Sequence, residues 1–172
     1  LAHLDVYLEI FETQCKAQGG HVHWCRDTDE VREKVLNICQ NAKAKTVTKG
    51  KSMIGEEIAI NEFLEANGVT PIETDLGEYI IQMRNEAPSH IIAPAIHVSK
   101  NQVADAFRNY HTKLDPERGL VEPEDLLSEA RAILRAQFLD ADVGITGANF
   151  LVAETGTSVI VTNEGNGDLT QI

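Results

Sequence analysis

Apolar and polar positions along the chain follow two periods, and each change of period marks an element. LDVYLEIFETQCKAQG has apolar residues at helical spacing and ends at Gly19–Gly20, so a leading helix is expected within residues 1–20. VHWC (22–25) reads as a short strand. Asp27 and Glu30 have capping-box spacing, and behind them Val31, Val35, Ile38, Cys39 and Ala42 share one helical stripe. TVT (46–48) reads as a strand, and SMIGEEIAINEFLEANG as one helix capped by Ser52 and closed by Gly68. TPIE (70–73) is a further strand. Asp75 and Glu78 form a second box that opens the helix LGEYIIQMRN. HIIA (90–93) reads as a strand, and Ser99 with Gln102 opens a helix whose face is Val103, Ala106, Phe107 and Tyr110.

A polar loop, KLDPERGLVEP, precedes the longest helix. Pro123 sits near its first position, and Leu126, Ala130, Ile133, Leu134, Gln137 and Phe138 lie on its buried side. VGIT, NFLVAE and TSVIVTN then read as closely spaced strands. The alternation predicts an α/β fold, a parallel-sheet core with flanking helices, followed by a C-terminal β-meander. The 172 residues fit a single domain, 1–172. The chain starts at Leu1 rather than a methionine and stops at Ile172, which reads as a piece of a longer protein.

Charge narrows the partners. The formal net charge is −12, a field that repels nucleic-acid backbones and anionic lipid. No apolar run approaches the roughly 18 residues of a membrane span, and no basic-then-apolar signal opens the chain. The cytoplasm is the expected location. Cys15, Cys25 and Cys39 have neither CxxC nor iron–sulfur spacing, and Cys39 falls on an apolar helix face as a small core residue.

GKS (50–52) sits between a strand and a helix, as a phosphate loop would place it. Lys45 stands where that loop needs its first glycine, and the strand leaves no room to wrap a triphosphate. Lys51 and Ser52 beside a helix start can hold a single anionic group or form an ordinary cap. Glu73, Thr74 and Asp75 end one strand, and Pro94 to His97 follow another. Ligands gather at the carboxyl ends of parallel strands, so both stretches are candidates. Helix capping accounts for Asp75 and Glu78 equally well. His90 reads as a histidine opening a buried strand, and His97 as either a base or a loop residue. A metal would need three or four of His90, His97, Glu73, Asp75 and Glu154 to converge. Their spacing does not encode that, and none is expected. In GITGANFLVAETGTSVIVTNEGNGD, every glycine-bearing turn also carries a glutamate or asparagine. That pattern suits ligand-facing turns, though hairpin turns alone would explain the glycines.

KSMIGEEIAINEFLEANG, ETDLGEYIIQ, EAPSHIIAPAIH, GITGANFLVAETG and NEGN, in that order over about residues 50 to 167, resemble the LUD domain. More closely they resemble the LutB-type lactate utilisation proteins, iron–sulfur oxidoreductase subunits. The resemblance implies the fold of the ribose-phosphate isomerase, glucosamine-phosphate deaminase and CoA-transferase group. It implies work in a cytoplasmic complex that oxidises L-lactate to pyruvate, with other subunits of that complex as partners. It also implies 4Fe-4S clusters downstream in the full-length protein and none in this chain. The strand ends and turns together give the expected ligand-binding set: Lys51, Ser52, Thr74, Asp75, Thr146, Gly147, Asn149, Thr155, Gly156, Asn163 and Glu164. Two chemistries remain open. AETG is similar to the glutamate motif of CoA transferases, where Glu154 would attack a thioester and the TGAN amides would steady the oxyanion. Alternatively the pocket holds a small carboxylate, met by Lys51 and the turn amides, with His97 as base. A sugar-phosphate enzyme on the same fold and a non-catalytic assembly module are the remaining readings.

Overall fold

Three parallel strands organise the molecule: β1 (Thr46–Gly50), β2 (Thr70–Glu73) and β3 (Val143–Thr146), in the order β2-β1-β3. The computed structural model describes residues 2–90, 92–162 and 164–171. In register, Val47 lies opposite Pro71 and Val143, Lys49 opposite Glu73 and Ile145, and Gly50 opposite Thr146. Side chains alternate faces along a strand, so Val47, Lys49, Pro71 and Glu73 share one face while Thr48 and Ile72 share the other.

The helices follow from that division. On the Val47 face, α2 (Thr28–Asn41) and α4 (Ile60–Ala66) bury Leu36, Cys39, Ile60 and Leu64 against the sheet. On the Ile72 face lie α5 (Leu76–Arg84) and α7 (Pro123–Asp140), through Tyr79 and Leu134. Here α6 (Lys100–Tyr110) adds Val103, Ala104 and Phe107 to a third cluster with Ile80, Leu126 and Ala130. The mixed α/β architecture expected from the alternation is therefore present. So are the Asp27 cap, the Ser99–Gln102 capping box and Pro123 in the first turn of its helix.

Several expected elements take another form. VHWC joins no ladder; it follows α1 (Leu4–Ala17), where the Trp24 indole donates to Glu12 at 2.9 Å. The long SMIGEE…ANG helix breaks into α3 (Met53–Glu57) and α4, because Ala59 is left-handed at φ 47°. Arg32 of α2 donates to the Ile58 carbonyl at 2.6 Å and draws it out of the helical pattern. The described residues of HIIA form no strand. The His90 ring accepts the amides of Ile92 and Ala93, which removes those donors from any ladder and leaves Ile92 83% exposed. His90 is itself exposed, not a core histidine.

The C-terminal meander divides. Its first strand, β3, joins the parallel sheet, and β4 (Phe150–Val152) pairs antiparallel with β5 (Thr157–Val159) as a separate hairpin. Beyond Val159 the Val161 amide donates to the Asn149 side chain at 2.8 Å, so the strand stops short of TSVIVTN. GNGD is not a turn but the start of α8 (Asn166–Gln171), which packs on β3 and β1.

Candidate functional site

Lys49 stands inside the central strand with 1% of its surface exposed, in a run otherwise suited to a buried β-strand. The register sets it directly opposite Glu73, and the two share a face, so the Lys49 ammonium meets the Glu73 carboxylate at 2.8 Å. Glu56 of α3 also pairs with Lys49. Asn61 of α4 donates to Glu73 Oε1 at 2.6 Å, and the Glu73 amide donates to the Gln82 side chain at 3.1 Å. The opposite oxygen, Glu73 Oε2, and the Asn61 Oδ1 acceptor are buried without a hydrogen-bond partner.

Burial by itself would depress the Lys49 ammonium, but Glu73 and Glu56 outweigh it and hold Lys49 above its ordinary value. Burial raises the Glu73 carboxyl, and Lys49 and Asn61 only partly reverse that. Glu78, in the first turn of α5, does not complete a capping box; Asp75 alone caps, accepting from the Gly77 amide. Burial, then the neighbouring Glu73, pushes Glu78 up to about 8. Glu56, Asn61, Glu73, Glu78 and Gln82 line a cleft of about 880 Å³. Met53, Ile81 and Pro94 form its apolar wall, and Glu57, Glu62 and Glu65 stand around it. A cleft of this size is in the range of small-molecule sites.

Seven of the expected residues gather at the carboxyl edge of the sheet. Thr74 donates to the Lys49 carbonyl at 2.8 Å, and Asn166 of α8 donates to Thr74 at 3.4 Å. Ser52 caps α3 by accepting from Gly55 at 3.1 Å. Thr146 ends β3 beside Gly50. Gly147 lies so close to Lys51 that a Cβ there would stand 2.2 Å from the Lys51 carbonyl. Lys51 adopts φ 54°, a strained value for a side-chain-bearing residue. Glu164 hydrogen-bonds Asp75, which holds its carboxyl above the usual range against the nearby Lys51 charge.

The others lie elsewhere. Asn149 ties the ends of the β4–β5 hairpin, its amide donating to the Val159 carbonyl at 2.8 Å. Glu154, Thr155 and Gly156 form the hairpin turn, where Gly156 (φ 67°) touches α1; a Cβ there would stand 2.2 Å from the Cys15 amide nitrogen. Glu154 is exposed. His97 has both ring nitrogens engaged, with Ser89 at 2.8 Å and Glu86 at 3.0 Å, and Glu86 also lines the cleft. Asn163 lies outside the described residues. Lys49, Glu56, Asn61 and Gln82 escaped the sequence reading. The one signal for them was a lysine following TVT without a break.

Among the described residues, no three His, Cys, Asp or Glu side chains are placed to hold a metal ion. No described helix is long and apolar enough to cross a membrane.

The family model of the LUD domain matches residues 8–172. The chain is 48% identical over 170 residues to Lactate utilization protein B of Bacillus pumilus, covering 98% of this chain and 35% of that protein. It is 45% identical over 170 residues to the protein of the same name from Bacillus subtilis, with the same coverage. For Anoxybacillus flavithermus the identity is 46% over 172 residues, again 98% and 35%. The chain thus spans about a third of the length of the curated relatives it matches. No solved structure matches it.

Proposed function

We propose that this chain, which belongs to the LUD domain family, serves lactate utilisation as one domain of an oxidoreductase subunit that oxidises L-lactate to pyruvate. The observation that carries this reading is the 48% identity, over 170 residues, to a protein named Lactate utilization protein B. The setting is a cytoplasmic complex whose other subunits are its partners.

Oxidising a 2-hydroxy acid to a 2-oxo acid breaks one O–H and one C–H bond and removes two electrons and two protons. Iron–sulfur clusters would carry those electrons in the longer protein. The described residues do not fit such a cluster: Cys39 is fully buried on α2, and no metal-holding group forms around Cys15 or Cys25. The share proposed for this chain is the handling of carboxylate and proton. Lys51, with the backbone of Ser52 and Gly147 beside it, meets the substrate carboxylate. His97, oriented by Glu86 but set apart from the carboxyl edge of the sheet, is the proposed base for the hydroxyl proton, a role that requires it to leave Ser89 and approach Lys51.

The test uses the full-length protein with its partner subunits and follows L-lactate-dependent cluster reduction. His97→Ala, with folding checked by circular dichroism, is expected to lower turnover by about a hundredfold or more. Unchanged turnover would remove His97 from the mechanism. An intact assembly that reduces nothing with L-lactate would overturn the reading.

A further inference from the structure

The cleft above Lys49 is built for a different chemistry from a carboxylate. Glu56, Glu57, Glu62, Glu65, Glu73 and Glu78 all line it, and among the described residues no lysine or arginine does. Acidic side chains on a surface are common, but Glu73 is only 2% exposed and its Oε2 has no partner. A buried polar atom without a partner is rare in native proteins, and one that lines a cleft points to a missing partner. The second orphan, Asn61 Oδ1, belongs to the amide that donates to the other Glu73 oxygen. Both orphans are acceptors. Their occupant must bring hydrogens, and two open acceptors on hydrogen-bonded neighbours suit a group with several N–H bonds. A carboxylate or phosphate would bring only acceptors into a ring of glutamates.

We propose that this cleft binds a cationic hydrogen-bond donor, an ammonium or guanidinium group, seated against Glu73 and Asn61. The apolar wall of Met53, Ile81 and Pro94 would cover the carbon stem behind such a head group. Lys49 does not already fill this role, because its ammonium is bonded to Glu56 and to the Glu73 oxygen opposite the orphan. The inference stands on the cleft alone and does not depend on the lactate reading.

Agmatine is a suitable free probe, and acetyl-Gly-Arg-Gly-amide offers the same head group on a polypeptide. Each would be titrated calorimetrically into the full-length protein at about 0.15 M salt, where attraction to exposed carboxylates is largely screened. The expected result is saturable one-to-one binding that weakens at least tenfold in Glu73→Gln. Asn61→Ala removes the second acceptor and leaves the Lys49–Glu73 pair in place, so it is decisive should Glu73→Gln fail to fold. Agmatine binding identifies a small-molecule site; binding of the peptide alone identifies a polypeptide side chain as the occupant. No binding of either probe by the wild-type protein would overturn the proposal, as would binding unchanged in the variants that fold.

Discussion

Two buried charged clusters hold this molecule together, and they are satisfied to different degrees. In the first, behind α5, the Tyr79 hydroxyl meets His111 at 2.9 Å and His111 meets Glu129 at 2.7 Å. Arg118 donates to both Glu129 oxygens, at 2.6 and 2.7 Å, and also to the Phe107 carbonyl. Every partner is accounted for. The Arg118 bond holds the Glu129 carboxyl below its usual range, and burial raises the Tyr79 phenol. This cluster is a clamp that ties the loop after α6 to α5 and α7. The second cluster, Lys49 with Glu56, Asn61, Glu73 and Glu78, leaves two acceptors without donors and holds one glutamate well above its ordinary range. A network built only for stability has no reason to leave acceptors open, since each one costs free energy. The contrast marks the first as architecture and is the ground on which a site is proposed at the second.

The largest effect expected from breaking this contrast is in Lys49→Met. It strands the Glu73 carboxylate in the core, and removing one partner of a buried pair typically costs about 3–5 kcal/mol. The double variant Lys49→Met with Glu73→Leu should regain most of that loss, because an apolar replacement of a buried pair is often neutral. Denaturant unfolding at pH 7 measures both. A double variant as unstable as the single one would mean that the pair is structural after all, like the Arg118 clamp.

The next effect sharpens the comparison through pH. Glu78 binds its proton more tightly in the folded state, near 8, than at its ordinary 4.5. Between those values the folded state carries more protons than the unfolded one, so stability falls as pH rises. The slope is at most about 1.4 kcal/mol per pH unit. Glu78→Gln should flatten it, and thermal midpoints taken from pH 5 to 8 would display the change. An identical slope in the variant would place the titration on some other group.

The smallest effect is expected away from both clusters. Gly156→Ala imposes a left-handed conformation on alanine, at about 1 kcal/mol, and pushes the hairpin turn off α1. Amide exchange over Gln14 to Lys16 should quicken while the parallel sheet stays protected. Unchanged exchange there would show that the hairpin does not lean on α1.

Much of the α/β frame was legible along the chain because its signals are local. Ser52, Asp75 and Ser99 cap helices at the positions their spacing indicates, and Pro123 starts α7. Two of the misreadings arise where a side-chain bond overrode the pattern of a segment. Arg32 pulls the Ile58 carbonyl out of a helix, and the His90 ring takes the amides that a strand would have used. Site residues divided in the same way. Thr74, Asp75 and Glu73 were visible as the polar end of a strand, whereas Glu78 carried the same spacing as an ordinary cap and gave no sign of its burial.

By itself the sequence determined the order of elements, the periods that make them helices or strands, and the acidic balance of the surface. These depend on residues within a turn or two of one another. Only the tertiary structure decided that Lys49 faces Glu73, that Asn61 and Glu56 close over them, and that the AETG turn rests against α1 instead of the sheet edge. Strand register and the side chosen by each helix arise from packing between residues far apart in sequence. Shifting the Lys49 strand by one residue would have turned the same lysine to the opposite face.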